Sequence, residues 1–171
     1  MRVSLGVYPP SGPPRFGIQM VLAVFMGSDH MEGQLRGDHW GERVAVPEVA
    51  ACWDSLDRWK ESSRWRWREQ EHNNILEARA GLASAKLVTL IPSSWGRRVL
   101  LISDSQVTIG AFSKGRRSVR VLNMLCRKLA ALAFAGGCKF YWRYMRTHRN
   151  HADGPSRGYP LGVAPKADPT V

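Results

Sequence analysis

Three observations in the sequence predict an α/β fold, a mixed β-sheet flanked by helices. An unbroken apolar run, Val99 to Ile102, ends abruptly on Ser103 and Asp104, as a buried strand does where it meets a helix. A second strand-like run, Lys139 to Met145, follows the pair Gly136-Gly137, which stops a stripe of Leu122, Leu125, Leu129 and Leu132 at helical spacing. Ahead of both lies "NNILEARAGLASAKLVTLI", also with helical spacing. At 171 residues the chain is about one domain, long enough to bury a core.

The elements follow in chain order. Residues 1–17 and 159–171 carry the Pro- and Gly-rich segments "YPPSGPPRFG" and "GYPLGVAPKADPTV", and both are expected to be disordered tails. Residues 18–63 hold either a degraded first hairpin with a helix or an unrelated extension, and residues 64–158 form the core unit. Within 18–63 the run "IQMVLAVFM" is too short to span a bilayer and lacks a basic leader, so no membrane segment and no signal peptide are expected. "RWRWR" at 64–68 alternates in strand fashion, with Trp65 and Trp67 on the face expected inside. The next helix should be capped by Asn73 or Asn74 and should bury Leu76, Ala80, Ala83, Leu87 and Leu90. The strand 99–102 then hands over to a helix started by Asp104. After the turn "SKGRRSVR" a helix of about Ser118 to Ala135 leads to the second strand. Gly154-Pro155, directly after Asp153, permits a turn or a short helix beginning at Pro155.

Cysteine and charge narrow the function classes. Three Cys, at 52, 126 and 138, have neither an even count nor metal-ligand spacing, which argues for reduced thiols in an intracellular protein. The net charge is +11, and it is unevenly divided: residues 1–63 hold 6 Lys/Arg and 8 Asp/Glu, against 19 and 6 in residues 64–171. A basic unit of this kind attracts polyanions, nucleic acid first among them. No long basic amphipathic helix supports a membrane surface instead. The oligomeric state is left open, a monomer included.

Between residues 72 and 167 there are 16 Lys/Arg but only three acids, Glu77, Asp104 and Asp153. Each has an ordinary local explanation as a cap or a helix-dipole partner. Their order counts against that explanation: helix with Glu, strand ending in Asp, two helices, strand, then His and Asp.

The segment from about Trp65 to Gly158 resembles the ribonuclease H domain of retroelement reverse transcriptases. The residues that carry the likeness are "HNNILEARA", "VLLISDSQVTIGAFSKGR" and "RYMRTHRNHADGPSRG". The resemblance implies a ribonuclease H-like sheet and Mg²⁺-dependent hydrolysis of the RNA strand in RNA/DNA hybrids, with Mn²⁺ as an alternative ion. It makes Glu77, Asp104 and Asp153 metal-binding carboxylates and His148 a mobile group near the metals. Asn150 and the pair Ser156-Arg157 fit the family's closing motif. Two clustered ions suit this chemistry, since one activates water and the other stabilises the leaving oxygen. Lys114, Arg116, Arg117 and Arg120, with Arg149 and Asn150, are the candidate nucleic-acid contacts.

The family's fourth carboxylate, an Asp on its first strand followed by a small residue and glycines, has no matching motif upstream of Glu77. Asp29 in "MVLAVFMGSDHMEGQ" is the nearest candidate, 48 residues before Glu77. The alternative expectation is therefore an inactive nucleic-acid-binding module of the same fold.

Overall fold

In a computed structural model the described residues are 48–56, 59–65, 67 and 71–163. Asp29, the run 18–26, the whole expected tail 1–17 and residues 164–171 of the other lie outside them. Helix α1 spans Asn73–Thr89, strand β1 Arg98–Ser103, helix α2 Gln106–Lys114 and helix α3 Arg120–Gly136. Strand β2 (Lys139–Tyr144) and a four-residue helix, α4 (Asp153–Ser156), complete the order. The molecule is mixed α/β. The two strands pair in parallel, from Arg98 opposite Lys139 to Ser103 opposite Tyr144. Glu48 adds a single parallel bridge to Tyr144 on the far side of β2.

The described sheet is thus narrower than the mixed sheet expected. Within 18–63 the described residues 48–56 and 59–63 contain a 3₁₀ turn, Ala51–Asp54, and residues 18–47, with any first hairpin there, lie outside the described residues. "RWRWR" also departs from expectation, because its described positions 64, 65 and 67 are not in a strand. Trp65 and Trp67 meet each other edge to face at 5.7 Å, and Arg64 pairs with Glu61 at 2.8 Å. Alternation alone does not make a strand; a partner ladder is also required.

The sheet separates two apolar clusters, as the alternation of a strand buried on both faces demands. Val99 and Leu101 point into the larger one with Ala78, Ala85, Val88, Phe112, Leu125 and Trp142, where α1, α2 and α3 pack. Leu100 and Ile102 point into the smaller with Val49, Trp59, Met145 and Ala152. Leu161 packs against that second cluster. Residues 159–163, expected in a tail, therefore include a turn held to the body, with Tyr159 N–H donating to Gly154 at 3.0 Å.

Helix α3 matches its expected stripe, burying Leu122, Leu125 and Leu129 and half-burying Leu132. The face of α1 differs. Its buried residues are Ala78, Ala80, Gly81, Ser84, Ala85 and Val88, whereas Leu90 is 67% exposed. The Trp142 ring is the cause: a Cβ on Gly81 would stand 2.9 Å from Trp142 Cη2 and 3.2 Å from Phe112 Cε2. Only small side chains fit between this helix and the sheet, so the larger leucines turn aside. Among the described residues no helix is long and apolar enough to cross a membrane, and Cys52, Cys126 and Cys138 are free thiols.

Candidate active site at the carboxyl edge of the sheet

The parallel pairing sends both chains out at one edge. Asp104 follows β1 directly, and Met145, after β2, donates its N–H to Ser103 O at 3.0 Å. The loop with His148, Asn150 and Asp153 leaves from the same edge.

Helix α1 brings the third element. Its N-cap is His72, whose Nδ1 accepts from Asn74 N–H at 3.2 Å, in place of the expected Asn73 or Asn74. Asn73 is thereby released, and its side-chain amide donates to Glu77 Oε1 at 2.8 Å. The Glu77 carboxyl is pushed up, first by burial and also by the negative charge of Asp104. Hydrogen bonding from Ser105 and Asn73 and the nearby His72 pull it the other way. Glu77 and Asp104, 27 positions apart in sequence, are therefore electrostatic neighbours.

The cap of α2 is Ser105, not Asp104. Its hydroxyl accepts from Thr108 N–H at 3.3 Å, and its own N–H donates to Ser103 Oγ at 3.1 Å. A serine cap satisfies the helix end as well as an aspartate would, so the Asp104 carboxylate is not needed there. Ser105 and Asn73 are the two site residues that sequence reasoning missed. Each carries a helix-capping signal, and that ordinary role concealed their place beside Glu77.

Asp153 opens α4, two residues before the start that Pro155 suggested. Pro155 is tolerated because the first-turn N–H groups of a helix have no intrahelical partner. Oδ1 of Asp153 accepts from Arg157 Nε at 3.1 Å. His148 is exposed in a 3₁₀ turn, Thr147–Arg149, and Asn150 Oδ1 accepts from Ala152 N–H at 3.1 Å. Arg149 pairs with Glu48 at 2.7 Å. Lys114 at the end of α2, Arg116 and Arg117 in the turn that follows, and Arg120 at the start of α3 are all exposed.

Carboxylate oxygens are the ligands that hard divalent cations select, and the pair Glu77–Asp104 suits one such ion. Among the described residues, however, no three His, Cys, Asp or Glu side chains stand close enough together to hold a metal. Of the four expected carboxylates, Glu77 and Asp104 lie within electrostatic reach of each other. Asp153 is held by Arg157, and Asp29 lies outside the described residues. No protein-family model, no curated protein and no solved structure matches this chain.

Proposed function

We infer that the chain is a ribonuclease H-type nuclease domain, part or remnant of a retroelement, that hydrolyses the RNA strand of RNA/DNA hybrids. One observation carries this reading. At the carboxyl edge of a parallel strand, in a chain of net charge +11, the half-buried Glu77 carboxylate lies within electrostatic reach of Asp104. Burial and the negative charge of Asp104 both disfavour the Glu77 carboxylate, and a divalent cation would offset them. With so many cations in the chain, ion pairing would have been an easy alternative.

In this reading Glu77 and Asp104 would hold Mg²⁺ or Mn²⁺, with Asp153 and Asp29 as the remaining ligands. A bound ion of this kind activates water and stabilises the leaving oxygen of a phosphodiester. Asn73 and Ser105 orient the Glu77 carboxylate, and Arg157 restrains Asp153. In this reading His148, exposed in the turn after β2, would be the mobile group near the metals. The exposed cations of 114–120 supply phosphate contacts that do not depend on sequence.

A hybrid with its RNA strand end-labelled should be cut in Mg²⁺, and cutting should cease in chelator and in Asp104→Asn. A non-catalytic nucleic-acid-binding module of the same fold is the second reading, favoured by the absence of a third ligand among the described residues. Binding of hybrid without cleavage in either Mg²⁺ or Mn²⁺ would decide for it.

A further inference from the structure

The opposite, amino edge of the sheet carries a second constellation. Six residues of β1, about 20 Å, separate it from Asp104. Helix α1 ends there in a 3₁₀ turn, Pro92–Ser94, pinned by Ser94 Oγ donating to Val88 O at 2.6 Å. Trp95 follows it. The indole Nε1 donates to Thr89 O at 2.9 Å, yet the residue is 58% exposed. An indole whose only polar atom is already satisfied offers water nothing but apolar ring.

The mount is rigid. Gly96 and Gly137 both have positive φ, +69° and +60°, which lets the turn lie against the end of α3. Gly96 N–H donates to Gly136 O at 2.9 Å, and a Cβ on Gly137 would stand 3.5 Å from Gly96 N. Lys139 N–H donates to Arg97 O at 2.9 Å, so two exposed cations, one just before β1 and one at the start of β2, share with Trp95 the turn-and-strand edge. Residues 89–98 and 133–140, which build this edge, include no Asp or Glu.

We propose that Trp95, with Arg97 and Lys139, is a contact for single-stranded nucleic acid, a base stacking on the indole while the cations hold the flanking phosphates. The proposal extends the nucleic-acid reading above but does not depend on hydrolysis. A ring-and-cation pair on an immobile support is the arrangement that binds single strands without reading sequence. A second copy of this chain would bring like charge to like charge, which disfavours association.

The test is fluorescence anisotropy of a labelled oligothymidylate of about 20 nucleotides, titrated with the full chain. Trp95→Ala should weaken binding by about tenfold, and Trp95→Phe should recover most of the loss. The pair Arg97→Gln, Lys139→Gln should lower the slope of log K against log salt by about 1.4, two single-strand phosphates' worth. Inorganic polyphosphate, which has charge but no rings, should bind Trp95→Ala as it binds the native chain. The proposal is overturned if Trp95→Ala leaves oligothymidylate affinity unchanged, if it weakens polyphosphate equally, or if polyglutamate of matched charge competes as well as the oligonucleotide. Cleavage of a blunt-ended hybrid and its loss in Asp104→Asn report on the carboxyl edge alone, so the two ideas fail separately.

Discussion

Glu77 is the carboxylate whose proton affinity the fold shifts, and in the proposed reading it also binds the metal. Its carboxyl is raised by burial and by Asp104, so the folded chain binds that proton more tightly than the unfolded chain does. Linkage fixes the sign. The contribution of this group is fully present below the unfolded carboxylate value and is lost as pH rises through the higher folded one. Glu77→Gln, which keeps the shape and removes the charge, should flatten this decline and raise stability at neutral pH. The gain should be no more than about 1 kcal/mol, because solvent still screens a half-buried group. Thermal melts from acid to neutral pH will show it, and a variant profile parallel to the native one would remove Glu77 as its source. Asp104→Asn should independently move the Glu77 titration, followed by carboxyl NMR, back toward the usual range. Mg²⁺ should do the same in the native chain, since ligand oxygens must shed protons to bind.

At the scale of elements, the contact between α1 and β2 leaves room for only a small side chain at Gly81. Trp142 is 2% exposed and lies 4.8 Å from the Phe112 ring, over Gly81. Gly81→Ala gains about 1 kcal/mol in helix propensity but forces overpacking that costs about 1 to 3 kcal/mol. Urea unfolding should therefore show a net loss, with an unchanged m-value marking a pure stability effect. This contact also explains what could be read from the sequence and what could not. Both strands and α3 were legible because a continuous apolar run or a leucine stripe ends on an unmistakable stop, Ser103-Asp104 or Gly136-Gly137. The α1 face was not, because the pattern favours burying leucines, and only the bulk of Trp142, 61 positions away, selects Ala and Gly instead. The site divides the same way: Glu77 and Asp104 stand out as acids in a basic chain. The transfer of capping to His72 and Ser105 depends on backbone angles that residue type does not specify.

For the whole molecule, the distribution of charge sets how it meets a polyanion. Acids are confined to few places between residues 72 and 167, while the cations of the turn 114–120 are exposed. Nine residues of α2, at 1.5 Å each, set Lys114 about 12 Å along the helix from the residue that follows Ser105. A duplex whose scissile phosphate lies at Glu77 and Asp104 can thus reach this turn within a few base-pair rises of 3.4 Å. Each phosphate neutralised on a duplex releases counterions and adds about 0.9 to the magnitude of the slope of log K against log salt. If Lys114, Arg116, Arg117 and Arg120 all engage, they should supply about 3.6 of that slope, and Arg116→Gln with Arg117→Gln should remove about 1.8. Asp104→Asn should leave the slope intact while abolishing cleavage, because a carboxylate contributes no phosphate contact. A slope that ignores the arginine substitutions would take the turn off the substrate path, and the duplex would then have to approach the carboxylates from the side of Arg146, which follows β2.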